Sequence, residues 1–260
     1  MFPAVPPSRY IFGHLPWYSV LIVTGILIAM TLCGREEKRL RLPEDTVLDL
    51  ALLALPLGVI GARVYYVAFA WDTFAADPLA ILRIWEGGLA IYGGILGGAL
   101  AIVIIAHIKG RSPLLLTDMV LPTVALAQAI GRWGNYFNME AYGAPITNPA
   151  WQFFPVGVLI PAGEGYVWHM ATFFYESMWN LGVFAVLWFI IRKRKKHHGV
   201  VTLWYALLYG AGRAIIEGFR TDSLMLGSLR VSQLLSLLLA GAAAIILLCL
   251  GIRNRRNTEA

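Results

Sequence analysis

The sequence is poor in charged residues and in cysteine. Only 14% of its 260 residues are charged, whereas soluble domains contain about a quarter. Together with 58% hydrophobic residues and a mean hydropathy of +0.68, this excludes an ordinary soluble domain. The two cysteines, Cys33 and Cys249, lie near the ends of apolar runs and provide neither a disulfide framework nor metal-ligand spacing. We therefore expect no metal and no cofactor.

Other absences exclude whole classes of membrane protein. The last apolar run, 231–252, has no lysine for a Schiff base, and the loops on the basic side are short, which disfavours a retinal protein or a receptor. Neither Gly-X-Ser-Gly nor His-Glu-X-X-His occurs, so an intramembrane protease is not indicated. The N-terminus lacks the basic-then-apolar order of a cleavable signal, and we expect the first apolar run to be retained.

Long apolar runs predict an all-α, polytopic membrane protein of about seven transmembrane helices, because a bilayer core needs about 20 apolar residues per helix. The runs that satisfy this length are 15–34, 46–70, 88–108, 114–137, 171–191, 199–219 and 231–252. We expect one membrane domain over residues 1–260. Its one long connection, 138–170, is rich in proline and glycine and is interpreted as a folded extracytoplasmic loop.

The basic residues are distributed unequally between the two faces. With seven spans, fourteen Lys and Arg residues fall in loops on one face, in the groups 35–41, 109–111, 192–196 and 253–256. The opposite face keeps four, which are Arg9, Arg83, Arg220 and Arg230. This bias predicts a cytoplasmic C-terminus and an N-terminus outside. It also explains the net charge of +6 without nucleic acid as a partner.

Three arginines lie inside apolar runs, where each costs about 2.5–3.5 kcal/mol near a helix centre. At 1.5 Å per residue, Arg63, Arg132 and Arg213 lie about 25, 27 and 20 Å from the starts of their helices. All three helices run outward, so the arginines share the outer half of the bilayer. Guanidiniums at the level of the headgroups would bind phosphate. The alternative is that each snorkels separately or pairs with a carboxylate, as Arg213 could with Glu217.

The strongest local motif is Gly-Arg-Trp-Gly-Asn-Tyr-Phe-Asn-Met-Glu at 131–140. On a helix, Arg132 and Asn135 share a face, and the two glycines permit close approach of a backbone or a ligand. Asn135 and Asn138 offer donors and acceptors suited to glycerol hydroxyls. The alternative is a polar helix end at the water interface.

Two further motifs flank this one. Gly-Gly-Leu-Ala-Ile-Tyr-Gly-Gly at 87–94 leaves a bare surface for helix packing or an acyl chain, with Tyr92 as a polar group or an ordinary interfacial aromatic. The segment 212–220 places Arg213, Glu217 and Arg220 at i, i+4 and i+7. A fourth group, His169, Tyr175 and Glu176, lies at the start of the fifth run. A single histidine in a loop is more often merely solvated than functional, which is the alternative for His169.

These motifs, in this order, resemble the signature blocks of the phosphatidylglycerol–prolipoprotein diacylglyceryl transferase family. Trp17-Tyr18 and the Gly-Ala-Arg segment at Arg63 fit as well, so the resemblance spans 17 to about 250. It implies a bacterial inner-membrane enzyme active at the outer face. That enzyme moves diacylglycerol from phosphatidylglycerol to the lipobox cysteine of a prolipoprotein signal peptide, releasing glycerol phosphate.

Residue by residue, the resemblance implies catalytic roles for Arg132 and Arg213, and places Tyr92 where well-known members carry histidine. A histidine base is therefore absent at that position. The residues implied or predicted to bind substrate are Arg132, Asn135, Asn138, Glu140, Gly143, Glu217, Arg63 and Tyr18.

A transporter of an anionic solute remains the alternative function, because it too would place arginines in membrane helices. Such sites lie near the midplane and often accompany inverted repeats. The outer-half depth of the arginines and the lack of a visible repeat count against it.

The topology is testable by cysteine labelling of whole cells, with both native cysteines replaced by serine. We expect Glu164→Cys, in the 138–170 loop, to react with an impermeant thiol reagent. Lys195→Cys, in the Arg192–His198 loop, should react only after permeabilisation. Labelling of Lys195→Cys from outside would overturn this orientation.

Overall fold

Long helices form on each predicted apolar run. The structure is a computed structural model that describes residues 4–221, 225–226 and 229–259, and of 226, 229 and 253–259 it describes the backbone alone. The long helices are α1 (Trp17–Arg39), α2 (Thr46–Phe69), α4 (Ile91–Ile108), α5 (Pro113–Asn138), α6 (Thr172–Ala185), α8 (Val200–Glu217) and α9 (Val231–Glu259). A short α3 (Trp71–Phe74) follows α2, and α6 continues through a π-helical segment, Val186–Ile191, into α7 (Arg192–Arg194).

Six helical segments are long and apolar enough to cross a membrane. They are Trp17–Arg39, Thr46–Phe69, Ile91–Ile108, Pro113–Asn138, Thr172–Arg194 and Val231–Ile252. The predicted polytopic, helical membrane protein is thus confirmed. The run 199–219 also forms a helix, α8. This helix has 18 residues, includes Arg213 and Glu217, and is not among the six. The count of seven spans and the orientation stay predictions.

The described residues also contain three 3₁₀ segments, Pro78–Leu82, Ile84–Glu86 and Pro149–Trp151, and three antiparallel hairpins. The hairpins pair β1 (Tyr10–Ile11) with β2 (Leu15–Pro16), β3 (Gly157–Ala162) with β4 (Gly165–Met170), and β5 (Met225–Leu226) with β6 (Leu229–Arg230). In the central hairpin Gly157 lies opposite Met170 and Ala162 opposite Gly165. The 138–170 segment is therefore folded, as expected, while its side of the membrane stays a prediction.

The described residues form two compact units. The first lies within Met1–Thr31 and Val120–Ala260, and the second is Leu32–Met119. Helices α1 and α5 each contribute residues to both. The expectation of one membrane domain over the whole chain stays a prediction.

In the first unit, an apolar core joins the end of α5, the central hairpin and the start of α6. Its buried members are Tyr136, Val158, Ile160, Ala171 and Phe173. Alternate residues of β3 supply Val158 and Ile160, because successive side chains of a strand point to opposite faces. This core fixes the loop against the helix end that carries the 131–140 motif.

In the second unit, glycines bring α2 and α4 into backbone contact. A Cβ on Gly93 would overlap the carbonyl of Gly61, and one on Gly97 would overlap the carbonyl of Leu57. Gly98, in contrast, has nothing within 4 Å of its Cβ position. Part of the glycine-rich surface is thus used for helix packing, the first of the two uses considered for it, since small residues let membrane helices approach closely.

Two of the four basic groups lie together in the second unit. The Nζ of Lys109 is 2.6 Å from Oδ2 of Asp49 and donates to the carbonyl of Glu44 at 3.0 Å. Arg111 donates to the carbonyl of Arg41 at 3.3 Å. Groups 35–41 and 109–111 are therefore at one end of this unit, as the charge distribution predicts. The side chains of Arg253, Arg255 and Arg256 lie outside the described residues.

The close packing of α2 and α4 predicts different effects for two neighbouring glycines. Gly97→Ala must displace a backbone carbonyl, so we expect it to destabilise the protein by about 1–3 kcal/mol. Gly98→Ala meets open space and should leave the melting temperature unchanged or slightly raised. Thermal unfolding of both variants in one detergent tests this, and equal melting temperatures would contradict the packing described.

Candidate functional site

A buried carboxylate gathers arginines in the first unit. Glu176, on the second turn of α6, is only 5% exposed. Its Oε2 lies 2.5 Å from Nε of Arg132 on α5, and its Oε1 pairs with Nη1 of Arg213 on α8. Nη1 of Arg220, three residues beyond the end of α8, is 3.8 Å from the same Oε1. We call Arg132, Glu176, Arg213, Glu217 and Arg220 the arginine cluster.

Glu217 supplies a second carboxylate to the cluster. Its Oε2 lies 2.6 Å from Nη2 of Arg213, in an ion pair that lacks hydrogen-bonding geometry. The pair is one helical turn apart, and Glu217 is 2% exposed. The carboxylate pairing considered as the alternative for Arg213 is thus present. Removing one partner from such a buried pair costs about 3–5 kcal/mol, because an uncompensated charge stays behind.

The two helix arginines differ in the nitrogens that remain available. Arg132 gives Nε to Glu176 and makes a long contact of 3.4 Å from Nη1 to Oδ1 of Asn135. Its Nη2 makes no hydrogen bond with the described residues. Arg213 directs both Nη1 and Nη2 at carboxylates, Glu176 and Glu217. The terminal edge of Arg132 is therefore the more open to an added anion, and its side chain is 22% exposed.

Glu140 orients both asparagines of the motif. Its Oε1 accepts hydrogen bonds from Nδ2 of Asn135 at 2.9 Å and from Nδ2 of Asn138 at 3.2 Å. An ionised carboxylate can only accept, so this contact fixes which end of each amide faces it. Oδ1 of Asn138 is buried and has no hydrogen-bond partner in the described part of the chain. Such an orphan acceptor is ready for a hydroxyl donor.

The backbone beyond α5 is strained where it presents Glu140. Met139 and Ala141, on either side of it, have φ of 54° and 56°. Non-glycine residues rarely adopt this left-handed conformation, and each instance costs about 1–3 kcal/mol. The hydroxyl of Thr172 donates to the carbonyl of Ala141 and helps to hold the turn. The sequence gives no signal for this strain.

Gly143 ties three segments together. Its N–H donates to the carbonyl of Met170 at 2.9 Å, and it forms an antiparallel bridge with Arg220. A Cβ there would be too close to Met170, Phe219 and Thr172, so no larger residue fits. The structure thus gives Gly143 a packing role beside Arg220, whereas its predicted contact with substrate stays a prediction.

His169 is anchored by a hydrogen bond from its ring. Its Nδ1 lies 2.8 Å from the carbonyl of Gly143, which can only accept, so Nδ1 carries a proton. The ring packs on Tyr142 with centroids 4.6 Å apart. His169 therefore has specific partners, in contrast to the merely solvated loop histidine considered above.

Tyr18 packs over the motif helix within the first unit. The place that a Cβ of Gly134 would take is filled by the Tyr18 ring, and Trp17 stacks on Phe137 at 4.8 Å. These contacts explain why the motif needs glycine at position 134. The predicted contact of Tyr18 with substrate stays a prediction.

A crevice opens beside the arginine cluster. It is lined by Glu176, Trp179, Asn180, Tyr209, Gly212, Arg213 and Ile216. Gly212 has no room for a Cβ, because the indole of Trp179 lies against it and donates to the carbonyl of Leu208 at 2.9 Å. The close approach of α6 and α8 next to Arg213 thus depends on a glycine.

Arg63, in the second unit, is surrounded by backbone carbonyls. The acceptors are the carbonyls of Ala80, Ile81, Arg83, Gly87 and Gly88, at 2.6–3.4 Å. The guanidinium also lies 5.0 Å from the ring centroid of Phe74, and the residue is 7% exposed. Arg63 therefore braces the loop between α3 and α4. Its predicted contact with phosphate stays a prediction.

The loop that Arg63 braces carries its own ion pairs. Arg83 lies 2.6 Å from Asp77 and 2.9 Å from Glu86. The hydrogen bond from Arg83 holds the pKa of Asp77 below its usual value. The loop leads into α4, where Tyr92 stands on the first turn.

Tyr92 is half-buried beside Tyr65, with ring centroids 6.1 Å apart. Its hydroxyl makes no hydrogen bond with the described residues. Tyr92 and Arg63 belong to the second unit, whereas the arginine cluster, the asparagines, Gly143 and Tyr18 belong to the first. The predicted site residues thus fall into two groups.

Glu176 was missed as a site residue, although it was noted in the group that opens the fifth run. A signal was present, because a carboxylate within an apolar span is as costly as an arginine and marks a functional position by default. Asn180, one turn further along α6 and 2% exposed, was also missed, although a polar side chain within an apolar run is a signal of the same kind.

Comparisons with known proteins identify the family of the chain. The sequence profile of the family described as prolipoprotein diacylglyceryl transferase matches residues 10–249. The chain is 44% identical over 247 residues to the phosphatidylglycerol–prolipoprotein diacylglyceryl transferase of Limosilactobacillus reuteri, covering 93% of this chain and 88% of that protein.

Streptococcal proteins of the same name are equally similar. That of Streptococcus mutans is 45% identical over 93% of this chain and 91% of its own length. That of Streptococcus equi subsp. zooepidemicus is 42% identical over 94% of each. The chain therefore belongs to the prolipoprotein diacylglyceryl transferase family.

Proposed function

We propose that this protein transfers the diacylglyceryl group of phosphatidylglycerol to the thiol of the lipobox cysteine in a prolipoprotein signal peptide. The products are a thioether and glycerol phosphate. The observation that carries the proposal is the convergence of Arg132 and Arg213 on Glu176, in a chain of this transferase family. The relatives are named for both substrates. Family membership does not support the transporter alternative.

The chemistry requires positive charge at the phosphate. The cysteine sulfur attacks a glycerol carbon, the carbon–oxygen bond to phosphate breaks, and its electron pair stays on the phosphate oxygen. A phosphodiester with one negative charge thereby becomes a monoester that can carry two. Guanidiniums already in place stabilise this growth of charge, because they need no reorganisation during the reaction.

Arg132 is the best placed residue for that oxygen. Its terminal nitrogens are the more open of the two helix arginines, and a guanidinium edge matches two phosphate oxygens. Arg213 adds charge from the other side of Glu176. Asn135 and Asn138, oriented by Glu140, suit the hydroxyls of the glycerol headgroup, with Oδ1 of Asn138 as an acceptor.

The thiol must also lose its proton. A free cysteine has a pKa of about 8.5, and nearby arginines lower that value. A phenol ordinarily titrates near 10, so it is a poor proton acceptor at neutral pH. We therefore propose that Tyr92 donates a hydrogen bond to phosphate or orients the thiol. The proton acceptor is left unassigned.

We further propose that the protein resides in the bacterial cytoplasmic membrane with its site toward the outer face. The positive charge of the loops supports this orientation. The depth of Arg132 and Arg213 along their helices supports a site near the outer headgroups. Signal peptides and phosphatidylglycerol are both accessible at that level.

The function is tested with purified protein in vesicles that contain phosphatidylglycerol. A peptide with a lipobox cysteine is added, and its mass is followed by mass spectrometry. We expect a gain of one diacylglyceryl group and release of glycerol phosphate in equal amount. The same peptide with serine in place of cysteine is the control. An unchanged peptide mass under conditions that keep the protein folded would reject the proposal.

Arg132→Lys and Arg213→Lys test the need for a guanidinium. Each keeps one positive charge but loses the planar pair of donors, so we expect transfer to fall at least about 100-fold, as for loss of one transition-state donor. Initial rates of peptide modification measure this. Arg83→Lys, in an exposed ion pair, is the matched control and should retain activity. Near-normal rates in both cluster variants would remove the guanidiniums from the reaction.

Tyr92→Phe tests the phenol. Loss of one oriented donor should lower the rate by about 10- to 100-fold, less than the arginine variants. Tyr65→Phe, at the neighbouring ring, is the control. Rates are compared for Tyr92→Phe and Tyr92→His between about pH 6 and 9, the range in which imidazole and thiol titrate. If phenylalanine serves equally well at every pH, Tyr92 has no chemical role.

A further inference from the structure

We propose that Glu176 is a positioning residue that competes with the substrate phosphate for the guanidiniums of Arg132 and Arg213. It thereby lowers the affinity of the site for phosphate esters, most of all for the doubly charged product. The inference rests on the proposed function and deepens it, because it concerns the same arginine cluster.

The contacts of Glu176 are those of a shared counter-ion. Its two oxygens reach Nε of Arg132 and Nη1 of Arg213, which stand on different helices, while Glu217 reaches Arg213 from the same helix. The side chain of Glu176 is 6% exposed, against 22% for Arg132 and 15% for Arg213. The carboxylate is thus the least accessible of the three groups, and the guanidiniums are more open to an added anion.

Glu176 makes its closest contact with Arg132 at Nε. Nη2 of Arg132 makes no hydrogen bond with the described residues, so it is available to a phosphate oxygen. The positive charge of a guanidinium is delocalised over its three nitrogens, so a carboxylate at Nε weakens the attraction that the same group offers to phosphate.

The charge of Glu176 sets how strongly the cluster holds phosphate. Glu176 contacts Arg132, Arg213 and Arg220 within 4 Å, so its negative charge opposes any phosphate bound to these arginines. This repulsion grows with the negative charge of the bound phosphate. Glycerol phosphate can carry two negative charges, so it is bound less well than it would be without Glu176. Such a cluster favours release of the product, because affinity beyond that for substrate would retain it.

The test is the inhibition of purified full-length protein by added glycerol phosphate. Glu176→Gln removes the competing charge and keeps the shape, so we expect the inhibition constant to fall about tenfold, which corresponds to about 1.4 kcal/mol. KM for phosphatidylglycerol should fall less, since that lipid has one charge, and kcat should fall because product leaves slowly. A residue that merely stabilises the fold would raise KM and the inhibition constant when replaced.

Two further variants separate charge from distance. Glu86→Gln, which removes an exposed carboxylate from Arg83, should leave all three constants unchanged. Glu176→Asp keeps the charge on a shorter side chain, so its hold on both arginines is weaker. We expect its inhibition constant to lie between those of the parent and Glu176→Gln. If Glu176→Gln is not recovered folded, Glu176→Asp decides, and an inhibition constant at or above the parent value overturns the proposal.

A binding measurement keeps this inference distinct from the reaction. A ligand that binds the folded state raises the melting temperature, and glycerol phosphate should raise it more in Glu176→Gln than in the parent. An equal or smaller rise in Glu176→Gln overturns the role of Glu176. Absence of peptide modification by the parent protein would instead defeat the proposed function, whatever the melting temperatures show.

Discussion

The sharing of one buried carboxylate by several guanidiniums is the constraint on which the first unit depends. An unpaired charge inside a membrane helix has a high free-energy cost, and the pairing of Glu176 with the arginines lowers that cost for each of them. The contacts join α5, α6, α8 and the segment after α8. Close packing of these helices then follows as a requirement. Gly212 leaves room for Trp179 beside Arg213, and Gly134 leaves room for Tyr18 beside Arg132.

The turn beyond α5 is held by contacts from the segments around it. The carbonyl of Ala141 accepts from Thr172, and Gly143 is paired with both Met170 and Arg220. These bonds support the strained conformations of Met139 and Ala141, which would not persist in an isolated loop. The result is a carboxylate, Glu140, positioned to orient two asparagine side chains. Backbone strain and predicted substrate-binding residues thus coincide at the end of the motif helix.

Arg63 and Arg132 show that one residue type at a similar distance along an apolar helix can have different surroundings. Five backbone carbonyls surround Arg63, and they leave the guanidinium enclosed within the loop that it braces. Arg132 is held by one carboxylate edge and keeps nitrogens available. Carbonyls carry only partial charges, three of the five come from residues outside any motif, and the Gly87-Gly88 pair was interpreted only as part of a bare surface. The enclosure of Arg63 was for that reason not predictable from its position in an apolar run.

The sequence by itself determined the helices, because the length of an apolar run in a membrane protein is set by the bilayer and is read locally. It also determined the motif positions and, through local spacing, the pairings of Arg132 with Asn135 and of Arg213 with Glu217. Only the tertiary structure decided that Glu176 joins the arginines across three helices, and that Arg220, beyond the end of α8, joins them too. The physical reason is that helical periodicity relates residues three or four apart, whereas partners on different helices are selected by packing, which no local pattern encodes.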